Sequence, residues 1–332
     1  MLHQFIKYLL RNQVLFALFI IALTWIVVDL RAIIVSIFLA YIIMAAVLPA
    51  VDYLREKRLP KVFAVLIPYL AIIVAIFLLI LPLVPFVAEQ IQSLINSFPR
   101  FIDMSAETFG ITIDPGQLRG YINSEINNLG KSALNVTTQV FGGLFSVITV
   151  FVVSFYLLMY NDSYKRFMAS LFHKNDREYV QTTLNHINDK LGAWMRGQIL
   201  LSIIIGLLSW IGLTILGLPY ALPLALLAGL LEVVPTVGPI LSSIPAIIIA
   251  LTVSPTMALT VTVLYILIQT LENQLLVPKV MQKAVGLNPV VVILSIMIGT
   301  KLMGIAGALL AIPFVSLMIV IFNSVEKRMK IN

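Results

Sequence analysis

The sequence predicts an all-α polytopic membrane protein with about eight membrane elements, its C-terminal half an inverted repeat of two re-entrant or broken helical hairpins. Three observations carry that prediction. The chain is 60% apolar, 11% charged and has a mean hydropathy of +1.03, a combination foreign to soluble domains. Charge-free stretches exceed the roughly 20 residues that cross a bilayer as helix, whereas a transmembrane barrel would show short alternating segments. Two apolar stretches, 219–252 and 290–323, are too long for one crossing and contain helix breakers.

The first apolar run, 14–28, is interrupted by Asp29-Leu30-Arg31 and followed by a second, 32–51. The interruption reads either as a tight turn between two spans or as a break between tilted half-helices. Lys7 and Arg11 precede the first run with no A-x-A-like site after it, which reads as a retained first helix rather than a cleaved signal. Residues 62–88 form the next span, with Pro68, Pro82 and Pro85 set to bend it. Residues 89–137 are polar, with amphipathic stretches (Val87, Ile91, Leu94, Ile95, Phe98; then Leu118, Tyr121, Ile122, Ile126, Leu129) and an Asp114-Pro115-Gly116 turn. They read as an extracytoplasmic cap of interfacial helices. A span at 138–160, a hydrophilic cytoplasmic loop at 161–196 and spans from 198 onward complete the chain. Residues 1–88 are read as scaffold spans, 138–160 as a further membrane span, 197–323 as a transport core and 324–332 as a cytoplasmic tail.

The net charge is +7, which in a soluble protein would raise nucleic acid as a partner. Here the basic residues cluster in the 52–61 turn (Arg55, Lys57, Arg58, Lys61), in 161–196 and in the tail (Lys327, Arg328, Lys330). The positive-inside rule places those segments and both termini in the cytoplasm. There is no cysteine, hence no disulfide and no thiol chemistry.

The two long stretches share landmarks. Gly217, Gly229, Gly238 and Pro245 recur at intervals of twelve, nine and seven; Gly286, Gly299, Gly307 and Pro313 at thirteen, eight and six. Chance alignment of residues common in membrane helices is the bland alternative. If each stretch enters, turns and returns, with breaks at Pro235, Gly238 and Pro239 in one and at Gly299, Gly304 and Gly307 in the other, two units of opposite topology meet near the midplane. Broken helices in such units expose backbone dipoles to ligand, and irregular backbone at that depth must be buried or line a cavity.

From Gly197 to Leu271 the only charged side chain is Glu232. A carboxylate at the centre of a membrane helix costs on the order of 2.5–3.5 kcal/mol, so it reads as a protonatable or cation-coupling group, or else as a cap on a half-helix. Gln269, Glu272 and Asn273 share a helical face by i, i+3, i+4 spacing; they would line a cavity, or glue helices together. Lys301 at the second break could pair with an acid or an anionic substrate, or be an exposed loop lysine. These five residues are the candidate substrate or ion site. No resident metal is expected, only transient sodium at Glu232 or Glu272. No Walker-type loop is present and the three histidines lie outside the spans, so neither a P-loop pump nor an intramembrane serine–histidine protease fits. No enzyme and no cofactor is expected.

The stretches EVVPTVGPILSSIPA (232–246), QTLENQLLVPKVMQKAVGLNPVVV (269–292) and GIAGALLAIPF (304–314), with Arg196-Gly197-Gln198 before a long span, resemble signatures of the AI-2E transporter family, also called the autoinducer-2 exporter or PerM-like family. The order of spans, cap and loop before them matches in pattern. The resemblance implies a prokaryotic inner-membrane transporter, homo-oligomeric, with a pentamer as the expected stoichiometry. It also implies either export of the furanone autoinducer-2 or sodium(lithium)/proton antiport. The combined expectation is a secondary transporter that moves a small polar solute, sodium or protons across the lipid bilayer by elevator-like alternating access. The rival readings are an oligomeric channel with Glu232 near a constriction, and a non-transporting membrane scaffold.

Overall fold

A computed structural model of the chain describes residues 13–81, 83, 85–86, 147–235, 237–281, 286 and 288–331. Among these residues all regular structure is helical. The expected cap at 89–137 and Pro82 lie outside the described residues. Helices α1 (Gln13–Asp29) and α2 (Arg31–Glu56) meet at Leu30. The helical ladder runs through that junction: Leu30 N–H donates to the Ile26 carbonyl and Ile34 N–H to the Leu30 carbonyl, at 2.9 and 3.0 Å. Asp29-Leu30-Arg31 is therefore a one-residue break in a rod, not a turn between antiparallel spans. A turn with Arg58 at φ 64° leads into α3 (Lys61–Leu81), and α4 (Val147–Met159) bends by 72° into α5 (Asn161–Ser170).

The expected boundary between a cytoplasmic loop and a span near Arg196 is not a structural boundary. A 3-10 turn (Lys174–Asp176) opens into α6, a single helix from Arg177 to Ile215. At 1.5 Å per residue its 39 residues reach about 58 Å, and the other elements pack along it. Small residues let them approach: a Cβ on Gly192 would meet the Ala45 carbonyl of α2 at 2.3 Å. Ala40, Met44 and Val65 join α2, α3 and α4 in one apolar cluster, and Ile42, Leu191 and Trp194 join α2 to α6 in another.

Both breaker-rich stretches fold back on themselves. In the first, Gly217 and Tyr220 take positive φ (67° and 61°) to lead into α7 (Ala221–Leu231). After the turn, α8 (Val237–Val253) returns. The break falls at Glu232–Pro235, so Gly238 and Pro239 lie in the first turn of α8 rather than in the turn itself. Gly238 is pressed on the Leu231–Glu232 peptide: a Cβ there would stand 2.1 Å from the Leu231 oxygen. Leu224 of α7 and Ala246 of α8 share one core cluster, as antiparallel arms require. Ser254, an N-cap accepting from the Met257 N–H at 3.0 Å, with Pro255 at the next position, starts α9 (Pro255–Leu271). A π-helical turn, Glu272–Leu276, joins α9 to the short α10 (Val277–Met281).

The second stretch, α11 (Pro289–Ile331), is helical on both sides of Met303 (φ −140°, ψ 17°) and Gly304 (φ 60°, ψ −140°). The Gly304 conformation is in practice open only to glycine. Residues eight apart in a straight helix are separated by about 12 Å. Here a Cβ on Gly299 would meet the Gly307 oxygen at 2.3 Å, and one on Gly307 the Gly299 oxygen at 1.9 Å. The chain therefore turns back at 303–304, inside the interval the glycine spacing marked.

Among the described residues five helices are long and apolar enough to cross a bilayer, or six if the bent α4–α5 pair is one span, against eight elements expected for the whole chain. Length alone would count 290–330 as one crossing, but the fold-back makes it two arms. α7, α8 and α1 are shorter apolar helices. The chain is a multi-pass membrane protein.

Alanine at Gly307 forces backbone apart from backbone and should destabilise by about 1–3 kcal/mol. Alanine at Gly212, whose neighbour is the rotatable Leu264 side chain, should be close to neutral. Thermal unfolding of the two detergent-purified variants side by side checks the difference.

Candidate functional site

Helix α7 ends one residue before Glu232, and the π-helical turn begins at Glu272. These two helix ends meet inside the protein. Glu232 is 1% exposed and Glu272 4%, so both carboxyls are enclosed by this chain's own atoms. Their side chains lie close enough to interact directly. Gln269 Nε2 donates to Glu272 Oε2 at 3.2 Å. Gln198, on α6 and 2% exposed, donates from Nε2 to the backbone carbonyl of Glu232 at 2.6 Å. Glu232 Oε2 has no hydrogen-bond partner among the described residues, and no described Lys or Arg makes a salt bridge to either acid within 4 Å.

Local structure explains the convergence. Pro235 has no N–H, and the α7 ladder stops at the turn, leaving carbonyls that intrahelical bonding cannot satisfy. Gln198 takes the carbonyl of Glu232. The π-helical turn widens α9 at the point where Glu272 must face inward; such turns recur at functional positions in helices. The buried stripe of α9 is Val261, Tyr265, Ile268 and Glu272.

Of the five predicted site residues, the structure brings Glu232, Glu272 and Gln269 together. Asn273 faces outward, one residue further round the π-helical turn from Glu272. Lys301 is also outward-facing, near the second turn, and is not brought to the carboxyl pair. Of the predicted breaks, Pro235 lies in the first turn, while Gly238, Gly299 and Gly307 make the close contacts and Gly304 the reversal. Sequence reasoning named Gln198 only within a motif. A buried amide beside a span rich in Leu and Ile was the available signal; its partner, 34 residues away, was not.

Truncating Gln198 to leucine leaves a buried carbonyl unpaired and should cost about 1–3 kcal/mol. Asn273→Ala, on the outward face, should stay within about 0.5 kcal/mol. Thermal unfolding in detergent separates the two.

Two reversing helical stretches and an enclosed carboxyl pair thus characterise this helical membrane protein. Comparison with known proteins agrees. Residues 14–327 match the profile of the AI-2E family transporter, and the chain belongs to the AI-2E transporter family. It is 27% identical over 296 residues to the "Putative transport protein YrrI" of Bacillus subtilis (strain 168), covering 84% of this chain and 82% of that one. It is 25% identical to the "Putative transport protein YueF" of the same organism, over 84% and 80% of the two chains. Against the "Putative permease PerM" of Escherichia coli (strain K12) the identity is 27%, over 76% and 75%.

Proposed function

We propose that the chain is a secondary transporter of the plasma membrane in which the Glu232–Glu272 pair is the coupling site. The observation that carries this reading is the burial of two carboxyl groups near each other by protein, with no salt-bridged Lys or Arg among the described residues. A carboxyl donates a hydrogen bond only when protonated, so a hydrogen bond formed between these two would hold one proton. A monovalent cation replacing that proton would meet carboxylate oxygens, the free Glu232 Oε2 among them, and the amide of Gln269 steadying the second acid. Exchange of sodium or lithium for protons is the reaction this donor set suits. Export of a small polar solute such as autoinducer-2 would use the same pair for proton coupling. Both termini are cytoplasmic in this reading, and the protein works as a homo-oligomer through its N-terminal helices, whose outward faces are apolar (Trp25, Ile33 and Phe63 among them). The two hairpins move as the alternating-access element, in the manner of an elevator.

Proteoliposomes holding a pH-sensitive dye and challenged with a sodium gradient test the coupling. Wild type should move protons, and Glu232→Gln or Glu272→Gln, matched for folding and incorporation, should abolish that movement. A wild type that moves no protons removes the antiport reading and leaves proton-coupled solute export, to be read by solute counterflow in the same vesicles. Non-saturating conductance would instead point to a channel.

The elevator movement has its own test. The chain lacks cysteine, so engineered pairs stand alone. Disulfides fastening the hairpin turns to the N-terminal helices should arrest transport and reduction should restore it. Transport that survives complete cross-linking removes the elevator.

A further inference from the structure

Away from the carboxyl pair, a cavity of about 120 Å³ opens where α2, α3 and the α4–α5 bend come together. Its walls carry Asp52 and Arg55 from the end of α2, Lys61 from the start of α3, and Asn161, Asp162 and Lys165 from α5; apolar side chains form its floor. Asn161 is 6% exposed and its Oδ1 has no hydrogen-bond partner among the described residues. A buried polar atom without a partner asks for a ligand or water, and this volume has room for more than one water. Three cationic groups and two carboxylates share the walls. Lys61 pairs with Asp162 at 3.5 Å, and Lys165 donates to Asn185 Oδ1 at 2.7 Å. Asp52 lies within electrostatic range of Arg55, Lys165, Asp162 and Glu56.

The surroundings place this cavity at the level of lipid headgroups. Tyr53, Tyr156 and Tyr160 stand exposed at the same helix ends, the latter two stacked with their rings 3° from parallel, and Lys57 sits over the Tyr53 ring at 4.5 Å. Exposed tyrosines and basic residues at the ends of apolar helices are the mark of a bilayer interface. Beside the cavity, α3 turns Phe63, Leu66, Ile67 and Leu70 outward, an apolar track for an acyl chain.

The geometry points to a binding site for a zwitterionic phospholipid headgroup, of the phosphoethanolamine kind. Its phosphate would lie toward Arg55, Lys61 and Lys165, and its ammonium toward Asp52 and the free Asn161 oxygen. A purely anionic headgroup would satisfy the cations, yet would leave Asp52 and Asn161 Oδ1 facing a second acceptor. A soluble zwitterion would leave the α3 track unused.

Native mass spectrometry of the full detergent-purified chain tests this, titrating phosphatidylethanolamine, phosphatidylglycerol and soluble phosphoethanolamine. Wild type should prefer phosphatidylethanolamine over phosphatidylglycerol by about fivefold, the scale of one partly exposed ion pair. Arg55→Gln should weaken both lipids. Asp52→Asn should reverse the preference toward phosphatidylglycerol, a gain that misfolding cannot imitate. Equal binding of the two lipids to wild type, or a preference that Asp52→Asn leaves intact, overturns the site. Soluble phosphoethanolamine competing at the same concentration as the lipid overturns the lipid as its occupant.

Discussion

Two contacts of backbone on backbone make the rest of the C-terminal half possible: Gly238 on the Leu231–Glu232 peptide, and Gly299 on Gly307. A helix that reverses inside an apolar layer exposes carbonyls and N–H groups that lipid cannot satisfy. The reversal is tolerable only if the arms close at once and the freed groups find protein partners. Glycine supplies the closure because a Cβ at these positions would overlap a carbonyl oxygen. Once the first turn closes, Glu232 has nowhere to go but inward, and its own carbonyl is taken by Gln198. The carboxyl pair is thus a product of the turn, since moving the end of α7 by one residue would rotate Glu232 by about 100° away from Glu272.

Much of this fold was legible in the sequence, because glycine and proline report backbone demands directly. The Gly-and-Pro spacing of 219–252 and 290–323 located both reversals within a few residues. What the sequence could not show is where hydrogen bonding ignores polarity. Arg196 reads as the border between a wet loop and a dry span, yet the α6 ladder crosses it unbroken, because backbone bonding continues wherever each N–H finds its i−4 carbonyl. Asp29 and Arg31 mark a charge interruption for the same reason without marking a reversal.

The site was legible residue by residue but not as a site. Glu232 and Glu272 stand out because a carboxylate in an apolar run is costly. Their pairing depends on the tertiary meeting of two helix ends forty residues apart in sequence. The i, i+3, i+4 rule grouped Gln269 and Asn273 with Glu272, but the buried stripe of α9 is narrow and admits only the Glu272 side, so Gln269 reaches in from the edge and Asn273 does not. Lys301 was singled out by its charge at a turn; charge at a turn says nothing of which way the turn faces.

The long helix α6 touches both hairpins, and the two attachments differ in kind. At Gln198 it holds the turn of the first hairpin by a buried hydrogen bond, whose loss strands a carbonyl at about 1–3 kcal/mol. At its N-terminal end, Asp176 pairs with Arg328, Arg328 lies over the Tyr179 ring, and the Tyr179 hydroxyl donates to the Ser324 carbonyl of the second hairpin's outgoing arm. The ion pair there is about one-third exposed on each side, and such pairs are worth about 0–1 kcal/mol. Water can replace these polar partners, but Leu310 and Ile312 of the same arm stay packed with Leu191 and Trp194 of α6. The first hairpin is therefore fixed to α6 by a bond that water cannot replace, while the outgoing arm of α11 is fixed by apolar packing near the core and, at its far end, by polar contacts that solvent can take over.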